Sequence, residues 1–66
     1  MTFAEQIKAR RRRIGVSQSK CALILGVPAA TFRGWELRSQ NRAPDEFKQR
    51  AILNLLDNTP RQTGGV

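Results

Sequence analysis

Sixty-six residues with a net charge of +7, one cysteine and no histidine make a single small domain, near the lower size limit for a core that folds alone. Cys21 has no partner for a disulfide, and five scattered carboxylates form no ligand cluster, so neither a metal nor a cofactor is expected. No apolar run approaches the roughly 20 residues of a membrane span, and the first residues lack a signal-peptide h-region, so a soluble cytoplasmic chain is expected, supported by self-association.

The charge is uneven. Residues 1–42 carry nine basic side chains against Glu5 and Glu36, a net +7, whereas residues 43–66 balance Lys48, Arg50 and Arg61 against Asp45, Glu46 and Asp57. A polyanionic partner would be drawn to the first two-thirds of the chain.

In chain order, "TFAE" has capping-box spacing, with Thr2 as the cap and Glu5 reaching back. Phe3, Ile7 and Ile14 then share one helical face, and Gly15 is a natural C′ residue. Ser17 caps a second helix, "QSKCALIL", with Cys21, Ala22 and Leu25 inward. Gly26 can take positive φ in the turn that follows. Pro28 suits the first turn of a third helix, "PAATFRGWEL", whose inner side carries Phe32 and Trp35. "RSQNRA" has no apolar period and reads as a loop. Pro44, Asp45 and Glu46 form the first turn of a fourth helix that runs to about Asp57. Residues 59–66, with Pro60 and a glycine pair, read as a mobile tail after a domain spanning 1–58. The fold class expected is all-α, a compact bundle of four to five helices.

The sharpest signal is "SQSKCALILGVPAATFRGWE", residues 17–36. Two short helices joined by so tight a turn need a small residue where they cross (Ala22), a turning glycine (Gly26) and apolar filling at the corner (Val27, Phe32 and Trp35). With Ile7, Arg11, Gly15, "VSQ" at 16–18, Ala22, "LGV" at 25–27, Thr31, "WE" at 35–36 and Pro44 in register, the chain closely resembles the Cro-like, or xenobiotic-response-element, helix-turn-helix family of phage and bacterial repressors. The resemblance runs from about Ile7 to Leu56. It implies a helix-turn-helix over 17–37, a recognition helix over about 28–37, and operator binding, usually as a dimer, that represses transcription. The chain departs from the family at Pro28, where serine or threonine is common, and at Arg10, where leucine is common. It departs again after "WE", where "LRSQNRAP" replaces a sequence with glycine near Arg38.

In helix-turn-helix docking the N-terminal part of the second helix of the motif enters the major groove. With Phe32 and Trp35 inward, Ala29, Ala30 and Arg33 are expected to face out, with Thr31 and Gly34 beside them. Arginine forks onto guanine O6 and N7, and alanine methyls meet the thymine methyl, so Arg33 is the expected base reader. The competing reading is a solvated surface arginine. Ser17, Gln18 and Ser19 stand at a helix N-terminus, where free amides favour phosphate. The resemblance assigns Gln18 a backbone grip, although capping alone is the simpler role. Arg38, Asn41 and Arg42 are further candidate phosphate contacts.

The run Arg10–Arg13 is expected to be mostly scaffold. The resemblance pairs Arg11 with Glu36; Arg12 and Arg13 point away from the apolar stripe and read as solvated. Arg10 lies between Ile7 and Ile14, where it could snorkel or pair with an acid of the fourth helix or of a second subunit. On the fourth helix Phe47, Ala51, Ile52 and Leu55 make the expected core face. Leu53 and Leu56 are left over beside Gln49 and are assigned to a homodimer interface, the alternative being a wide monomer core.

The expected function is a homodimeric, sequence-specific, double-stranded DNA-binding regulator. It is read as a small phage-type autorepressor on a palindromic operator in a bacterial host, nucleoid-associated, with no small-molecule ligand and no membrane partner. An antitoxin or an excisionase-like architectural protein would use the same surface. A cationic membrane-active peptide would need one continuous amphipathic helix, which Gly26 interrupts. No catalytic residues are expected, since an inward Cys21 has no base to activate it.

Overall fold

The computed structural model describes residues 2–37 and 43–62. Among them are four helices and no strand: α1 (Phe3–Ile14), α2 (Gln18–Leu25), α3 (Ala29–Glu36) and α4 (Glu46–Asp57). The all-helical architecture is as expected.

Local chemistry sets most boundaries. At α1, Thr2 Oγ1 accepts from the Glu5 amide at 3.2 Å and Glu5 Oε1 accepts from the Thr2 amide at 2.9 Å, a complete capping box. Both α1 and α2 end on a left-handed glycine, Gly15 at φ 84° and Gly26 at φ 75°. After each, a valine amide reaches back five residues: Val16 to the Arg11 carbonyl and Val27 to the Ala22 carbonyl. Both valines also pack on the core. At α2, where the Gly26 amide also reaches the Leu23 carbonyl, this is the Schellman arrangement; at α1 the Gly15 amide shares the Arg11 carbonyl with Val16, as in the simpler left-handed cap. Ser17 and Asp45 cap α2 and α4 by accepting from Lys20 and Lys48 amides.

Pro28 and Pro44 stand outside their helices rather than in the first turn. Pro28 is the residue before α3, at φ −62° and ψ 144°, and its carbonyl accepts from Phe32. Pro44 precedes the cap Asp45, and its carbonyl accepts from Gln49 Nε2 at 2.7 Å.

α1 packs against α3 and α4, and α2 packs against α3. The core joins Phe3, Ile7 and Ile14 of α1, Cys21 and Ala22 of α2, Phe32 and Trp35 of α3, and Leu56 of α4. Trp35 is the hinge of the aromatic group, with ring centroids 6.1 Å from Phe3 and 6.2 Å from Phe32.

Three of the four adjacent arginines act as fasteners. Arg10 makes a two-pronged pair with Asp57, at 2.9 and 3.3 Å, which selects the α4 acid among its alternatives. Arg11 pairs with Glu36 at 2.7 Å. Arg13 is exposed, as the sequence reading has it, and its Nη2 also donates to the Leu56 carbonyl at 2.9 Å, which caps the C-terminal turn of α4. Arg12 is exposed and makes no hydrogen bond among the described residues. The start of the tail is held too: the Gln62 amide donates to the Ile14 carbonyl at 2.8 Å and Arg61 donates to the Arg13 carbonyl. Of the expected tail, residues 59–62 are thus placed against the end of α1, and residues 63–66 lie outside the described residues.

The face of α4 differs from the sequence reading. Leu56 is fully buried, and Ile52 and Leu53 pack against the core. Phe47 is 83% exposed, Leu55 is 46% exposed and Ala51 is exposed. Gln49, Leu53 and Leu56 are thus the inward side, and Leu53 and Leu56 complete the core instead of forming a surface for a second copy. The fastening of Asp57 and the Leu56 carbonyl to α1 turns this end of the helix inward.

This orientation can be tested by truncation. Leu56→Ala should lower unfolding free energy by about 2–5 kcal/mol, while Leu55→Ala should change it by about 0.5 kcal/mol or less, read from urea midpoints at constant m. Equal losses would contradict the orientation.

Candidate nucleic-acid interface

α3 divides into a held side and an open side. Phe32, Trp35 and Glu36 are buried, and their spacing leaves Ala30, Thr31 and Arg33 exposed on the opposite side. Ala29 departs from expectation: it is half-buried and packs on the core, because it lies one turn before Phe32 on the same side. Gly34 is half-buried, and a methyl added there would meet no described atom within 4 Å, so packing within the domain does not demand glycine. No side chain caps the start of α3. The open face therefore consists of the Ala30 methyl, the Thr31 hydroxyl and a guanidinium at Arg33 without a hydrogen-bonding partner among the described residues.

Behind this face sits one carboxylate with three donors around it. Glu36, whose side chain is 2% exposed, accepts from Arg11 Nε at 2.7 Å and Nη2 at 3.4 Å, and from Gln18 Nε2 at 2.9 Å. Arg11 Nη1 also donates to the Val16 carbonyl at 3.1 Å. One group thus ties the end of α3 to α1, to the Gly15–Val16 turn and to the start of α2. A buried pair of this kind contributes little net stability but constrains geometry strongly, since neither charge can be left alone.

Gln18 consequently does more than cap or grip. One of its two amide hydrogens is held by Glu36, which fixes the side chain and leaves the second hydrogen available. The backbone amides of Gln18 and Ser19 have no acceptor among the described residues, because Ser17 serves only the Lys20 amide. These are the free donors expected at a helix start. Ser17, Ser19 and Lys20 are exposed beside them. Arg38, Asn41 and Arg42 lie outside the described residues. The Gln18–Glu36 bond had no visible signal in the sequence, where glutamine after a capping serine is read from the surface inward.

No group of three or more candidate metal ligands is present among the described residues. Burial pushes the Cys21 thiol up from its ordinary 9.0 to about 11; Arg11 opposes the rise and Glu36 adds to it. A neutral buried thiol is a packing atom, not a nucleophile at physiological pH. No described helix is long and apolar enough to cross a membrane.

The thiol gives a pH signature. Its folded pKa lies above its unfolded one, so the associated stability is complete below about pH 9 and is lost as pH rises through 11. Over that window unfolding free energy should fall by about 1.4 kcal/mol per pH unit more steeply in the wild type than in Cys21→Ala, measured by denaturant titration. Parallel profiles for the two proteins would contradict it. No protein-family model matches the chain, and neither a curated protein nor a solved structure is significantly similar to it.

Proposed function

We propose that this chain is a sequence-specific double-stranded DNA-binding regulator of the Cro-like repressor type, acting as a homodimer on a palindromic operator without catalysis or cofactor. The observation that carries the reading is the open side of α3, Ala30, Thr31 and Arg33, backed by the buried Phe32, Trp35 and Glu36. A helix with a small leading residue and a guanidinium that has no partner among the described residues suits close approach to a base edge.

The roles follow from geometry and charge. Arg33 reads guanine through its fork, and Ala30 and Thr31 supply the apolar and hydroxyl contacts next to it. The amides of Gln18 and Ser19, with Lys20, hold a phosphate and set the register of α3 in the groove. Arg12 and Lys20 strengthen the field that draws the duplex. Glu36, held by Arg11 and Gln18, keeps the end of α3 and the start of α2 in fixed relation. Twofold pairing would set two copies of α3 about 34 Å apart, one turn of duplex, on symmetric half-sites in the bacterial nucleoid.

Titration against selected and random duplexes at several salt concentrations tests this. Each phosphate neutralised should add about −0.9 to the slope of log K against log salt. Arg33→Ala should lose about 1–3 kcal/mol of discrimination at one half-site position, and Arg12→Ala should weaken all sequences alike. If Arg33→Ala weakened every sequence equally, its assignment as base reader would be wrong.

A further inference from the structure

The outer side of α4 is the part of the molecule that neither the core nor the proposed reading surface uses. Phe47 is 83% exposed, which is unusual for so large an apolar side chain, and Ala51 and Leu55 follow it at four-residue steps. The three form a continuous ridge of the kind that helices pack through. Beside the ridge lies a groove of about 390 Å³, lined by Glu46, Phe47, Arg50, Ala51 and Asn54.

We propose that this ridge is the face on which a second copy of the chain docks, antiparallel about Ala51. The inference rests on the reading of the protein as a homodimer and supplies its surface. Three observations favour this occupant. The ridge is self-complementary: Phe47 and Leu55 are equidistant from Ala51, so a twofold axis there lays each Phe47 against the partner helix at Leu55, with the small residue where the helices come closest. The charge permits it as well. Residues 1–44 carry nine cations against two acids, whereas on 45–57 Asp45 and Glu46 balance Lys48 and Arg50, and Asp57 is already paired with Arg10. Two copies of a strongly basic chain repel across the first region and meet without that penalty only through α4.

The third observation is area. An exposed phenylalanine offers on the order of 150–250 Å², so the ridge and its flanks free roughly 400–500 Å² per copy. The total of roughly 800–1,000 Å² falls short of the about 1,200 Å² of a stable specific interface and is the size of a weak, transient one. The pairing is therefore weak in free solution and is completed when adjacent half-sites hold two copies together.

Sedimentation of the full chain without DNA, from about 1 μM to 1 mM, should show reversible monomer–dimer exchange with a Kd on the order of 10–100 μM. Phe47→Asp and Ala51→Glu should each weaken dimerisation at least about tenfold. Thermal unfolding of both variants should stay near the wild-type midpoint, since both positions are exposed. Each variant should still bind a duplex carrying one half-site with the wild-type salt slope, which separates this proposal from the DNA-binding reading. A wild type that is monomeric throughout would overturn the proposal, as would dimers unaffected by both substitutions. A monomeric chain that binds phosphatidylcholine vesicles in a Phe47-dependent way would make the occupant a lipid surface and would also overturn it.

Discussion

A carboxylate buried to 2% exposure in so small a domain must be saturated with donors or be neutralised, and Glu36 is saturated. Arg11 and Gln18 approach it from two different elements, so its position is fixed from two directions. This constraint decides how α3 is rotated. With Glu36 turned inward, Phe32 and Trp35 one turn or less away are carried in with it, and Ala30, Thr31 and Arg33 have only the solvent side left. The same group holds the start of α2 in fixed relation to α3 through Gln18. The proposed DNA contacts need that fixed relation, since a small shift of α3 against the start of α2 would break the register between phosphate and base contacts.

The arginine run serves the same end by other means. α1 is the element that touches both α3 and α4, and it holds them through Arg11, Arg10 and Arg13 in succession. Consecutive residues on a helix point about 100° apart, which is why neighbouring arginines can reach different elements. The conspicuous charge is thus partly consumed by Glu36, Asp57 and a helix-terminal carbonyl. Among the described residues of this region, Lys8, Arg12, Lys20 and Arg33 make no side-chain hydrogen bond or ion pair, a sparser set than the sequence suggests.

Local features were legible because their causes are local. The Thr2–Glu5 box, the two glycine turns and the Ser17 cap are each specified within four residues, and all four form where expected. The inward side of α3 was legible because Phe32 and Trp35 are its only large apolar residues. α4 was not. Its apolar positions, Phe47, Ala51, Ile52, Leu53, Leu55 and Leu56, spread over more than half the helix circumference, so periodicity alone offers no single inward side. The choice was made by contacts from α1, some 45 residues away in sequence, through Asp57 and the Leu56 carbonyl. Ala29 was misplaced for a related reason, its small side chain giving no preference for either side. The Gln18–Glu36 bond was invisible because a polar pair at long separation leaves no pattern.

The central claim is that the rotation of α3 imposed by Glu36 creates the surface proposed to read DNA. It is tested most directly by mapping amide chemical-shift changes as a selected duplex is added to the labelled chain. The account requires the largest changes at Ala30, Thr31 and Arg33, with Gln18 and Ser19 next and smaller ones along α1. Shifts centred on another face, with α3 unperturbed at saturation, would contradict it.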